Sequence, residues 1–161
     1  MDFNDTAEEA KFRKEAYEWL KANADLKEGP KDGWRASSEE EGLEQVKVWQ
    51  NKLYESGWAC MHWPKEFGGR ESTPIERVIW GQEISKFKVP GGYLEIGQGM
   101  AGPVMMMYAT EEQKARHLPP MAKGEEIWCQ LFSEPGAGSD LAGLKTKSVL
   151  EGDTWTINGQ K

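Results

Sequence analysis

The helical character of the chain is set by residues 6–20, which read TAEEAKFRKEAYEWL. Thr6 and Glu9 have the spacing of a capping box, in which each side chain accepts a hydrogen bond from the other residue's backbone amide. Apolar residues then recur every three or four positions, as they do on one face of an amphipathic helix. These residues are Phe12, Ala16, Trp19 and Leu20. The pattern predicts a helix that runs to about Asn23.

Similar start signals recur through the first 125 residues. Ser38, Thr73 and Thr110 each precede by three positions a residue that can complete a capping box. They predict a second helix that ends near Gly57, a third that begins at Pro74, and a fifth that is interrupted at 119–120 and closed by Gly124. A fourth, glycine-containing helix is predicted over 94–108, with a kink or break around Gly102. Residues 1–125 therefore predict a mainly α fold, an antiparallel helical bundle.

After Gly124 the pattern changes to short, β-rich segments. Strands are predicted over 127–132, 145–150 and 154–157, with turn residues between them. Asn158-Gly159 is a strong hairpin signal and predicts a returning strand, yet the sequence stops at Lys161. We therefore expect residues 126–161 to be the first strands of an incomplete β-domain and the chain to be a fragment.

Composition excludes several classes of protein. The chain has 161 residues with 27 acidic and 20 basic side chains, a formal charge of −7 that argues against nucleic acid as a partner. No apolar run approaches the ~20 residues of a membrane helix, and the polar, acidic N-terminus is unlike a signal peptide, so we expect a cytoplasmic protein. Cys60 and Cys129 are widely separated, predicting two buried or half-buried thiols and no metal site.

The glycine-rich segment 133–143 calls for a chemical explanation. Gly136 and Gly138 allow a ligand to approach the backbone, and Ser139 adds a hydroxyl. The spacing fits neither the Rossmann fingerprint nor a P-loop, so the residues alone leave a structural turn and a ligand-binding loop open. Ser139 lacks the context of an acylating nucleophile. Glu134 is expected to accept hydrogen bonds from backbone amides rather than to be a catalytic base.

The segment resembles the signature of a known family. Residues 132–146 read FSEPGAGSDLAGLKT, and residues 152–161 read GDTWTINGQK. Together with the upstream WPKEFGG at 63–69 and TEEQK at 110–114, they resemble the acyl-CoA dehydrogenases. The resemblance covers the whole chain and less than half of the family's usual length. It implies an N-terminal α-helical domain at 1–125 and the start of the middle β-domain at 126–161.

The resemblance also implies a function. Members of this family are flavoenzymes of fatty acid and lipid metabolism that oxidise an acyl-CoA to the trans-2-enoyl-CoA, with hydride transfer to N5 of FAD and electron-transferring flavoprotein as acceptor. By position, the cofactor-binding roles fall on Gln130, Leu131, Phe132 and Ser133 for the flavin ring, and on Gly138 and Ser139 for the phosphates. Ser139 also falls at the substrate thioester.

No residue of this sequence matches the family's catalytic base, so the chain alone is expected to be inactive. Two alternatives stay open. The first is an oxidase of the same fold, acting on acyl-CoA or nitroalkanes, or a flavin monooxygenase. The second is a non-catalytic helical subunit that supports a partner. The resemblance implies a homo- or hetero-oligomer, and for the dehydrogenase a homotetramer.

Overall fold

A computed structural model describes residues 4–161 and divides the chain into two compact units, one ending at Trp128 and one of residues Cys129–Lys161. The described part of the first unit, residues 4–128, holds five α-helices: α1 (Ala7–Asn23), α2 (Glu39–Glu55), α3 (Pro74–Ile84), α4 (Gly102–Tyr108) and α5 (Glu111–Lys123). The mainly helical fold class predicted from the sequence is confirmed. Among the described residues, no helix combines the length and apolarity that crossing a bilayer requires.

The capping boxes form where the sequence predicts them. Thr6, Thr73 and Thr110 each accept a hydrogen bond from the amide three residues later, and the side chain at that later position accepts from the amide of the threonine. Ser38 caps α2 through the amide of Glu41, but the Glu41 carboxylate accepts hydrogen bonds from Ser37 instead of completing the box. A neighbouring polar residue can therefore compete for the reciprocal bond.

Helix α5 differs from the prediction, because Pro119 and Pro120 lie inside it without interrupting it. The fixed φ of proline is compatible with a helix, and what a helix loses at each proline is one amide donor and some steric freedom. Leu118, Met121 and Ala122 flank the prolines and are fully or almost fully buried. Their burial stabilises this part of the helix against the loss of two hydrogen bonds.

The predicted fourth helix is divided into a π-helical turn at Gly97–Ala101 and helix α4, which begins at Gly102. Trp63, which has no exposed surface, lies against this division. Its indole Nε1 donates a hydrogen bond to the carbonyl of Gln98 at 2.9 Å. A Cβ on Gly102 would lie 2.2 Å from the Trp63 ring, so only glycine allows this approach. The helix is therefore not broken near Gly102 but changes there from π-helical to α-helical geometry, beside a buried tryptophan.

The core of the first unit is aromatic. Trp58 stacks on Trp80 with ring centroids 4.7 Å apart, and Trp19 packs against both rings and against Trp49. The Arg70 guanidinium lies 3.8 Å from the centroid of the Trp58 ring, within the range of a cation–π contact. These contacts join α1, α2 and α3 to the loop that follows α2.

The strands are partly as predicted. β3 (Lys147–Glu151) and β4 (Thr154–Asn158) form an antiparallel hairpin, which confirms two of the predicted strands within a few residues. Gly152 has a φ of +60° at the first position of the two-residue turn, where a type II′ turn requires a positive φ. A short antiparallel pair, β1 (Asp25–Leu26) with β2 (Phe87–Lys88), was not predicted.

The predicted strand at 127–132 is wrong. These residues form no regular secondary structure and pair with no strand in the part of the chain that the structure describes. An apolar segment becomes a strand only when a neighbouring segment accepts and donates its ladder hydrogen bonds.

Candidate functional site

The candidate site is the glycine-rich segment of the second unit. A tight turn begins it, because Glu134 and Ala137 exchange two backbone hydrogen bonds of 2.9 and 3.0 Å around Pro135 and Gly136. Ala137 is almost completely buried. A short 3₁₀ helix at Leu141–Gly143 follows, and the chain then enters β3.

Glu134 holds the two ends of this segment together. Its carboxylate accepts hydrogen bonds from the backbone amides of Lys145 at 2.7 Å and Thr146 at 2.9 Å. The Thr146 side chain and these two amides lower the pKa of Glu134 to about 2, since each stabilises the charged carboxylate. The prediction that Glu134 satisfies backbone amides is therefore confirmed.

The end of the chain returns to the same place. The Lys161 ammonium lies 3.1 Å from the Glu134 carboxylate and donates a hydrogen bond of 2.9 Å to the carbonyl of Phe132. Close packing accompanies this ion pair, because a Cβ on Gly159 would lie 2.0 Å from the Thr146 hydroxyl oxygen. Residues on both sides of the β3–β4 hairpin are thus joined around one carboxylate.

The six residues that the resemblance assigns to the cofactor are all exposed. They are Gln130, Leu131, Phe132, Ser133, Gly138 and Ser139. Phe132 accepts the hydrogen bond from Lys161 through its carbonyl, whereas the other five make no hydrogen bond within the described part of the chain. Their backbone amides and the two serine hydroxyls are consequently free to bind a ligand.

The segment also has room for a ligand at its backbone. A Cβ built on Gly136 or Gly138 would meet no atom within 4 Å. Backbone amides and a hydroxyl at such positions form the kind of donor set that binds phosphate oxygens or the polar edge of a heterocycle. The residues present therefore fit a nucleotide cofactor such as FAD. The Glu134 carboxylate in this segment is already bonded to two amides and a lysine, whereas the Asp140 side chain is exposed.

Cys60, Cys129 and His117 carry reactive side chains but lie outside the glycine-rich segment 133–143. Cys60 is buried, and burial raises its pKa to about 12, whereas Cys129 is exposed, so the prediction of two buried or half-buried thiols is wrong for Cys129. Residue 129 lies in the segment 127–132, which forms no strand. His117 packs edge-on against Trp128 with ring centroids 5.3 Å apart, and it lies 3.7 Å from the Glu126 carboxylate.

Helix α4 has an exposed apolar face that sequence reasoning did not single out. Val104, Met107 and Tyr108 are all more than half exposed, whereas Met105 and Met106 pack against the core. Met105, Met106 and Met107 are consecutive, and the structure separates the half-buried Met105 and Met106 from the exposed Met107.

The comparisons with known proteins agree with this architecture. The family model described as "Acyl-CoA dehydrogenase, N-terminal domain" matches residues 6–125. The chain therefore belongs to the acyl-CoA dehydrogenase family, whose members are oxidoreductases.

Individual relatives extend the match. The chain is 40% identical over 123 residues to the acyl-CoA dehydrogenase IpdE1 of Mycobacterium tuberculosis, covering 76% of this chain and 32% of the relative. It is 36% identical over 167 residues to IpdE1 of Mycolicibacterium smegmatis, covering 93% and 41%. A solved structure described as "Tcur3481-Tcur3483 steroid ACAD" superposes with a TM-score of 0.70 at 28% identity, covering 99% of this chain and 40% of that one. The chain thus spans less than half the length of these relatives.

Proposed function

We propose that the chain is the N-terminal part of an FAD-dependent acyl-CoA dehydrogenase, which oxidises an acyl-CoA thioester to the trans-2-enoyl-CoA. Bound FAD would supply the hydride acceptor, at N5 of its flavin ring. The amides and side chains of Gln130, Leu131, Phe132 and Ser133 would face the ring. Gly138 and Ser139 would bind the diphosphate, and Ser139 would also contact the substrate thioester.

The observation that carries this proposal is the pattern of hydrogen bonds in the glycine-rich segment 133–143. Its two ends are held by Glu134, while the amides of Gly138 and Ser139 and the Ser139 hydroxyl make no hydrogen bond to any residue that the structure describes. Polar groups that are ordered and unpaired bind an anion without first giving up another partner, which is electrostatic preorganisation.

The rest of the proposal concerns the larger protein. The base that removes the substrate proton would lie outside this chain, so the fragment alone would be inactive. We propose electron-transferring flavoprotein as the electron acceptor, the cytoplasm as the location and an oligomer, a homotetramer or a hetero-oligomer, as the assembly. The exposed apolar side chains of Val104, Met107 and Tyr108 support coverage of α4 by other parts of such a protein.

The test uses the complete polypeptide that contains this chain. The purified protein should show the visible absorption of bound flavin, and anaerobic addition of an acyl-CoA should bleach it. The thioesters tried should include short, long and branched acyl groups and steroid-derived ones, because one structural neighbour is described as a steroid enzyme. Absence of flavin would favour the non-catalytic subunit. If admitted oxygen rapidly restores the flavin absorption and is itself consumed, an oxidase or a monooxygenase is favoured.

A pair of variants links the activity to the segment. Ser139→Ala should weaken flavin binding about 10- to 100-fold, since a hydrogen bond to a charged group contributes about 1.5–3 kcal/mol. Ser148→Ala is the matched control, because Ser148 is exposed on β3 outside the proposed site. Equal flavin affinity in the two variants would contradict the role given to Ser139.

A further inference from the structure

The ends of the glycine-rich loop meet at a single side chain. The loop consists of residues 135–144, which follow Glu134 in the chain and precede Lys145 and Thr146. The backbone amides of Lys145 and Thr146 donate hydrogen bonds to the Glu134 carboxylate. The carboxylate thus closes a loop of ten residues at its base. Closing a loop restricts the conformations of every residue within it, including Gly138 and Ser139, which make no hydrogen bond of their own.

Lys161 adds a second contact at the base of the loop and a positive charge beside Glu134. Its ammonium pairs with Glu134 and also donates to the carbonyl of Phe132, so it joins the end of the hairpin to the residue just before Ser133. The Lys161 and Glu134 side chains are about three-quarters and nine-tenths buried, respectively. An ion pair that is largely removed from solvent is screened less by salt than an exposed one.

The charge matters because the neighbouring free amides suit an anion. A carboxylate in the same loop would repel a phosphate, and pairing it with an ammonium and two amide donors offsets that repulsion. The same side chain can therefore order the loop without opposing the ligand, provided that Lys161 is present. Neither group need touch the ligand for this effect.

We propose that Glu134 and Lys161 are positioning residues, which together hold the Gly138–Ser139 backbone in a conformation that binds the diphosphate of a nucleotide cofactor. This inference rests on the proposed function for the identity of the ligand. It goes beyond it by assigning ligand affinity to two residues that the six proposed contact positions do not include. The low pKa of Glu134 agrees with a carboxylate that stays ionised through the neutral range.

The first test measures the loop itself, in the apoprotein of the complete polypeptide that contains this chain. Glu134→Gln keeps the size of the side chain and removes its charge, and Lys161→Gln removes the ammonium. Amide hydrogen exchange at Lys145 and Thr146 should accelerate about tenfold or more in Glu134→Gln, because two charge-assisted hydrogen bonds are lost or weakened. Glu151→Gln and Lys147→Gln are the matched controls, since both residues are exposed on β3.

The second test measures FAD binding by the complete polypeptide, by titration of the apoprotein. Glu134→Gln and Lys161→Gln should each weaken FAD about tenfold or more, and the double variant should weaken it by less than the product of the two single effects. Lys161→Arg, which keeps the charge, should restore most of the affinity. A role limited to stability would instead lower the melting temperature without this charge-dependent recovery.

The outcomes separate this inference from the proposed function. Faster exchange together with weaker FAD binding supports the inference. Unchanged exchange in Glu134→Gln, or faster exchange with unchanged FAD affinity, overturns it. If the wild-type polypeptide binds no FAD, the proposed function fails, and so does the ligand assigned to the loop. In that case, faster amide exchange confined to the Glu134 and Lys161 variants would still establish that these residues position the loop.

Discussion

Gly102→Ala should destabilise the helical unit, although alanine is the better helix former. The new Cβ would lie 2.2 Å from the ring of Trp63, whereas carbon atoms in contact are normally about 3.5–4.0 Å apart. The ring or the helix must therefore move by roughly 1.3 Å or more. Trp63 is completely buried in a close-packed core, so its ring has little free space in which to move.

The magnitude follows from three contributions. Overpacking of this kind costs about 1–3 kcal/mol. Displacement of the indole also weakens its 2.9 Å hydrogen bond to the carbonyl of Gln98, at a cost of about 1 kcal/mol. The higher helix propensity of alanine offsets about 1 kcal/mol. The net loss should be about 2 kcal/mol, which lowers the melting temperature by roughly 4–8 °C in a chain of this size.

Urea unfolding, followed by circular dichroism and tryptophan fluorescence, measures this loss. Gly99→Ala is the matched control, because Gly99 lies in the π-helical turn and a Cβ there would meet no atom within 4 Å. That variant should be unchanged or more stable by up to about 1 kcal/mol. If Gly102→Ala were as stable as Gly99→Ala, the close approach of Trp63 would not be the reason for glycine at position 102.

Three further predictions concern charge and thiol chemistry. Arg13→Leu should destabilise the chain by about 2–3 kcal/mol at pH 7, and urea unfolding measures this loss. The reason is that the Glu83 side chain is only 1% exposed and would keep the Lys86 ammonium as its remaining cationic partner. Glu134 has a pKa of about 2 against an ordinary 4.5, so its stabilising contribution should be present above pH 4.5 and disappear as the pH falls toward 2; an NMR titration of its carboxyl group and acid unfolding measure this. A thiol reagent at pH 8 should modify Cys129 rapidly and Cys60 only after denaturation, because Cys60 is buried with a pKa raised to about 12.

Each of these predictions has a control or a contrary result. Burial alone would raise the pKa of Glu83, but Lys86 and Arg13 lower it; the Arg13→Leu loss should therefore shrink at acidic pH, and a pH-independent loss would point to packing. Glu134→Gln should remove the acid-dependent contribution. Cys129→Ser should abolish the rapid modification, and two rapid thiols would mean that Cys60 is accessible.

The helices could be predicted because their signals are local. A capping box involves two residues three positions apart, and all three threonine boxes form. Two errors arose where neighbours in space decide the outcome. The segment 127–132 has the composition of a strand but no partner, and the two-residue strands β1 and β2 have a partner but too little sequence to show a pattern.

The candidate site was predictable to a similar extent. The role of Glu134 could be predicted, because a carboxylate in a turn commonly accepts hydrogen bonds from nearby amides. Its ion pair with Lys161 could not be predicted, since the two residues are 27 positions apart and only the β3–β4 hairpin brings them together. The exposure of Cys129 could not be predicted either, because burial of a side chain depends on neighbours that are distant in sequence.

The glycines of the second unit have two different explanations. Gly159 is required by the chain itself, because a Cβ there would lie 2.0 Å from the Thr146 hydroxyl oxygen and 2.7 Å from the Thr146 Cα. Gly136 and Gly138 have open space around them, and neither has a positive φ. Within the described residues nothing therefore offsets the conformational entropy that each loses on folding, about 0.5–1 kcal/mol relative to alanine. A group outside these residues that approaches the backbone closely would explain both positions, and the free amide and hydroxyl donors beside Gly138 favour a phosphate-bearing ligand as that group.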